Sequence, residues 1–141
     1  MSVSVIDVKD GLSSKAHARV ERAAVAEAER WLSMVDEGQI GKAWEHASEI
    51  LHDAIGLPAW EESLRASLAE YGSAVARELV SKQHRLVGGE SPTETAAFQF
   101  RTLWDKKRTP GEETLLMVLD KLGQWRVSGY FVKPSDPCQC L

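Results

Sequence analysis

Cysteine is almost absent from this chain. There are two, Cys138 and Cys140, both within the last four residues. One intervening residue makes a disulfide between them strained, and two sulfurs do not complete a tetrahedral metal site. A disulfide-stapled fold is thereby excluded, and no cysteine is placed as an internal nucleophile. Two readings of the tail stay open, a Cys-x-Cys metal or redox element and a plain pair of thiols. Long apolar runs are missing too. Nothing approaches the roughly 20 residues that a membrane-spanning helix needs. The stretch Met1 to Asp10 lacks a basic start, a long apolar centre and a small-residue cleavage site, so it does not read as a signal peptide. A cytoplasmic location is expected, or a periplasmic one if a leader has been removed.

Positive charge is also in short supply. Lys and Arg number 17 against 21 Asp and Glu, for a formal net charge of -4. That balance leaves no basic footprint for nucleic acid. Lys106-Lys107-Arg108 is too short a run to reverse it and reads as a solvated turn. Neither a nucleic-acid nor a membrane partner is expected.

Signatures of catalysis are missing as well. Gly88-Gly89 is followed by neither a Lys-Ser/Thr pair nor a helix, so it is no phosphate loop. No Gly-x-Ser-x-Gly occurs. His46, Glu49 and Asp53 share one helix face with His52 beside them, but the set lacks a His-Glu-x-x-His signature and lies opposite the apolar stripe. A solvated face explains it more simply. None of His17, His46, His52 or His84 points clearly into a core, and Asp120 reads as a turn residue. No metal, cofactor or catalytic residue is expected.

What is present fits one soluble domain. The 141 residues can bury a real core, and 43% hydrophobic with 27% charged is ordinary for a globular protein. Residues 1–14 read as a flexible arm, 15–133 as the domain and 134–141 as a tail. Ser13 or Ser14 can cap a first helix over Lys15–Asp36, whose stripe is Val20, Ala24, Ala28, Trp31, Leu32 and Val35. Gly38 ends it. A second helix is predicted over Ile40–Ala54, with Ile40, Ala43, Trp44, Ala47, Ile50 and Leu51 on one face. Gly56-Leu-Pro58 opens a third, carrying Trp60, Leu64 and Leu68, and Tyr71-Gly72 closes it.

From there the apolar period drops to two. Ala76–Val87, Thr95–Trp104, Thr114–Leu119 and Gln124–Lys133 read as strands. Phe98, Phe100, Thr102 and Trp104 share one face of the second. Gly123 suits the last turn, and Gly129 inside a strand signals a bulge, a bend or a close approach. The predicted class is α+β: three N-terminal helices packed on a curved four-stranded antiparallel sheet.

A resemblance sharpens this picture. Ala28-Glu-Arg-Trp-Leu32, Asp36-x-Gly38, Ala43-Trp44, Trp60 with Arg65, Arg77, Glu113-Thr114 and the closing Gly123-x-Trp125-Arg126-Val127-x-Gly129-Tyr130 resemble the DUF4019 family. The likeness spans roughly residues 24–133, and the closing run is its most specific part. It implies a bacterial protein of uncharacterised function. Many members carry a signal peptide, and the short polar start of this chain departs from them. The element order also resembles the NTF2-like, cystatin-like cone, a shape that serves enzymes, binding modules and assembly domains alike.

The candidate site follows from the large and the charged residues. Trp44, Trp60 and Trp125 can line an aromatic pocket between helices and sheet, or simply fill the core. Arg65, Arg77 and Tyr130 can hold an anionic head group at a cavity mouth, or Arg65 or Arg77 can pair with Glu113 and pin helix to sheet. The leading expectation is a non-catalytic small-ligand-binding or protein-interaction module. The alternative is an NTF2-like enzyme of the isomerase or dehydratase type, with its pocket between helices and sheet. A homodimer through the sheet is a third expectation, resting on Phe98, Phe100 and Trp104 facing outward.

Overall fold

A computed structural model describes residues 11–134, with side chains from residue 18 onward. Most of the expected arm, and the tail with Cys138 and Cys140, lie outside the described residues. Four helices come first: α1 (Gly11–Asp36), α2 (Ile40–Glu45), α3 (Glu49–Ala54) and α4 (Leu57–Tyr71). Four strands follow: β1 (Ala74–Val87), β2 (Thr93–Trp104), β3 (Gly111–Leu119) and β4 (Trp125–Lys133). All neighbouring strands pair antiparallel, in the order β1-β2-β3-β4. The α+β class and the four-stranded sheet are as expected; the number of helices is not.

α1 forms because its apolar residues recur every three or four positions. Ala24, Ala28, Trp31 and Leu32 are fully buried. It begins at Gly11 rather than Lys15, so Ser13 and Ser14 fall inside it and not at its cap. It ends in a left-handed Gly38, where Gly38 N–H bonds to Val35 O and Gln39 N–H to Met34 O.

The helix expected over Ile40–Ala54 is broken in two. Ser48 N–H does not continue the helix; it donates to Val127 O of β4 at 2.8 Å. Ser48 then caps α3 by accepting from Leu51 N–H. A contact with the sheet overrides the local period, and the change of phase leaves Ile50 exposed.

The inner face of the sheet is the alternating one. Phe98, Phe100, Thr102 and Trp104 are all buried, and the two phenylalanines join the core cluster with Trp31 and Trp60. The aromatic face therefore points at the helices. The exposed-patch argument for a dimer through that face falls with it, because those rings are already covered.

Tryptophans also tie the helices to one another. Trp31 Nε1–H donates to Ala43 O, Trp60 Nε1–H to Ile40 O and Trp44 Nε1–H to Ile55 O. Each ring fills volume and parks its one donor on a carbonyl. β4 carries a bulge, since Leu116 pairs with Gly129 while Met117 pairs with Val127. A Cβ at Gly129 would lie 3.1 Å from the Phe131 ring and 3.3 Å from Leu116 Cδ1. Of the alternatives read at Gly129, a bulge and a close approach are both present.

Gly72 holds the passage from α4 to β1. Its φ of 86 and ψ of -154 fall in a region essentially reserved for glycine. A Cβ there would come within 1.9 Å of Asp105 Oδ1, which accepts from Ser73 N–H. Gly123 also has positive φ, but a Cβ there meets nothing. Gly72→Ala is expected to cost about 2–3 kcal/mol and Gly123→Ala about 1 kcal/mol, by the strain of the backbone alone at the second site. Urea denaturation of the two variants checks this; equal losses would mean that Asp105 moves aside freely.

Candidate functional site

The inner face of the sheet carries one charged residue deep among its apolar neighbours. Glu113 is in phase with Leu115 and Met117 on β3 and is 1% exposed. Strand register supplies its partners. Arg77 on β1 lies opposite Thr102 on β2, and Tyr130 on β4 lies opposite Leu115. Arg77 donates to Glu113 through Nε at 2.7 Å and Nη2 at 3.2 Å. The Thr102 hydroxyl donates at 2.6 Å and the Tyr130 hydroxyl at 2.5 Å. The free side of Arg77 grips Asp36 with Nη1 and Nη2 at 2.8 and 3.1 Å. Asp36 ends α1, where the helix dipole disfavours an acid, and Arg77 offsets that.

The electrostatics are those of a closed network. Burial alone pulls the Arg77 pKa down; its hydrogen bonds and charge contacts with Asp36 and Glu113 outweigh that and leave it raised. Burial first, and then the charge of Glu113, push the Tyr130 phenol well above its usual range. The folded pKa exceeds the unfolded one, so the neutral phenol stabilises the fold. That contribution is complete below about pH 10 and declines as pH rises beyond it. Tyr130→Phe is expected to flatten this alkaline loss; unfolding free energies at about pH 8 and about pH 11 check it. A slope as steep as that of the native chain would assign the loss to other groups.

Beside the network lies a niche lined by Asp36, Leu64, Tyr71, Trp104, Glu113 and Tyr130. Its volume is about 10 Å³, room for about one water.

A second and much larger cleft opens on the surface between α1 and the β3–β4 turn. It measures about 470 Å³ and is lined by Ala23, Glu27 and Arg30 of α1, His46 after α2, and Gly123, Gln124, Trp125 and Arg126. Arg126 is held on three sides: Nε donates to Asp120 at 3.2 Å, Nη1 to His46 O at 3.3 Å and Nη2 to the Gln124 side chain. These bonds use three of the five N–H groups of its guanidinium. Asp120 closes the turn by accepting from Leu122 and Gln124 N–H, as a turn aspartate does. The backbone bond from Gln124 is the leading cause of its lowered pKa. Arg30 is ion-paired with Glu27 at 2.8 Å and stays largely exposed.

The structure thus divides the expected ligand set. Arg77 and Tyr130 meet at Glu113. Trp60 is buried in the core, and Trp44 stacks on His52 at 4.1 Å between ring centroids. Arg65 is exposed on α4, outside the network, and Trp125 lines the surface cleft. His46, Glu49 and Asp53 form no metal site: among the described residues no group of three or more His, Cys, Asp or Glu is placed to hold an ion. Asp36, Thr102 and Arg126 were not singled out from the sequence. For Asp36 and Arg126 a signal existed, since both stand among the residues that carry the family resemblance.

Compared with known proteins, residues 27–130 match the model of a family described as a protein of unknown function, DUF4019. No curated protein and no solved structure matches the chain.

Proposed function

The chain belongs to the DUF4019 family, and from that premise we propose that it is a non-catalytic binding module holding a small polar ligand in the cleft between α1 and the β3–β4 turn. One observation carries the reading. The interior niche has room for about one water, whereas the surface cleft offers about 470 Å³. The second figure is within the usual range for small-molecule sites, about 300–1,000 Å³. Its walls hold directional groups, Arg126, Gln124, His46 and Arg30, beside the apolar edge of Trp125.

The rival reading, an isomerase or dehydratase, has one point in its favour. Glu113 is an inward carboxylate beside a phenol, the kind of pair that acid–base chemistry uses. Two arguments weigh against it. Four donor contacts already occupy the carboxylate oxygens, which leaves little basic lone pair to offer. The adjoining niche also admits no substrate larger than about one water.

A thermal-shift screen against a metabolite library, run on the native chain and on Arg126→Ala, tests the proposal. A ligand at ~100 times its dissociation constant adds about 2.7 kcal/mol of stability. Hits that vanish in Arg126→Ala are expected. No hit, or hits that survive the substitution, would remove this cleft as the binding site.

A further inference from the structure

Among the described residues β1 is the longest strand, with 14 residues, and it stands at one edge of the sheet. Such an edge presents backbone N–H and C=O groups that no strand among the described residues satisfies. The opposite edge is partly covered, because Val127 O of β4 accepts from Ser48 N–H. Large exposed apolar side chains also gather on β1: Val75, Val80, Leu86 and Val87 are 62%, 44%, 38% and 52% exposed.

The charges along this edge have a symmetry of their own. Arg77, Leu79, Lys82 and His84 lie opposite Thr102, Phe100, Phe98 and Ala96, and so point to the helix side. Val80 is the extra residue of a bulge between Leu79 and Ser81. Glu78 and Arg85, opposite Arg101 and Thr95, share the outer side. We infer that two copies of this chain pair antiparallel along β1, about a twofold axis at Lys82, and so join their sheets into one.

The register follows from the faces. With Lys82 on the axis, Ser81 meets Gln83 of the second copy. Val80 stays the unpaired bulge residue, as it already is against β2. Leu79 then meets His84, and Glu78 meets Arg85. Symmetry makes each of these contacts twice, as a self-complementary interface requires. Every pair has both members on one face of the joined sheet, as cross-strand contact requires. Moving the axis by two residues in either direction separates Glu78 from Arg85. Lys82 is the one like-charge meeting, and each copy draws its own lysine toward Glu21 of α1, 3.4 Å away. The interface leaves the cleft between α1 and the β3–β4 turn untouched, so it stands or falls apart from the ligand proposal.

Sedimentation equilibrium at about 10–100 µM tests it on four chains: native, Glu78→Arg, Arg85→Glu, and the double reversal. The native chain is expected to dimerise. Each single reversal sets two like-charge pairs across the edge and is expected to weaken the dimer at least about tenfold. The double reversal restores it. A native chain that stays monomeric overturns the inference, as do single variants that dimerise like the native chain or a double variant that does not recover. Lys82→Cys, in a Cys138→Ser/Cys140→Ser background, gives an independent readout. Directly opposed strand residues sit about 4.5–5.5 Å apart at Cα, within disulfide reach. Mild oxidation is expected to cross-link this variant into dimers, and a monomer after oxidation overturns the register.

Discussion

Arg77→Ala is expected to lower the unfolding free energy by about 3–5 kcal/mol, a loss as large as removing one partner of a buried ion pair brings. The size follows from what remains. Glu113, 1% exposed in the native chain, keeps only the Thr102 and Tyr130 hydroxyls. Asp36 loses its cation at the unfavourable end of α1. For a domain of this length the melting temperature should fall by roughly 10–20 °C. Differential scanning calorimetry on both chains measures it. Removing the acid as well should recover much of the loss, because the isolated charge is the costly element and not the missing contact. Arg77→Met with Glu113→Leu is accordingly expected to be more stable than Arg77→Ala alone. A loss under about 1 kcal/mol in Arg77→Ala would mean that water reaches Glu113 and solvates it.

The second large effect belongs to Trp31→Ala, at about 3–5 kcal/mol. Trp31 is fully buried, with its ring 5.8 Å from that of Trp60 and 5.3 Å from that of Tyr130. It joins α1, α4 and β4 at one point, so truncation opens a hole where three elements meet. Trp31→Phe separates packing from hydrogen bonding. It keeps most of the ring but leaves Ala43 O without its donor, and is expected to cost about 1–3 kcal/mol. Guanidinium denaturation of the three chains gives both numbers. Equal losses in the two variants would assign the effect to the hydrogen bond alone.

The fold was legible in the sequence where a period and a boundary residue agreed. The α1 stripe ends at Gly38, and the β2 alternation of Phe98, Phe100, Thr102 and Trp104 came out buried at every position. Legibility failed where a distant group decided the matter. Ser48 interrupts a good helical period because Val127, far along the chain, offers a carbonyl. The serine followed by Glu49 was a start signal for α3, masked by apolar residues on both sides of it. The network around Glu113 was half legible. A pairing of Arg77 with Glu113 was one of the open alternatives, but the strand was read as starting at Thr114, so no inward carboxylate was expected; it starts at Gly111, which puts Glu113 in phase with Leu115 and Met117. Asp36 stood in the family resemblance but its partner did not show, since a helix-terminal acid looks like solvent-facing punctuation until the strand carrying Arg77 is laid beside it. The surface cleft was not legible either, because it depends on how α1 lies against the turn.

The order of elements along the chain also sets a schedule during synthesis. Strand order equals sequence order, so each strand can pair with the one just made. The helices come first, and the sheet-facing side of their tryptophan-bearing faces lacks the aromatic strand that covers it until β2 emerges. At ribosomal rates of about 5–20 residues per second, the interval between Trp31 and Phe98 lasts on the order of several seconds. A nascent chain with an uncovered aromatic stripe for that long is the kind of client that holding chaperones bind, and the meander then lets the sheet close over it one hairpin at a time.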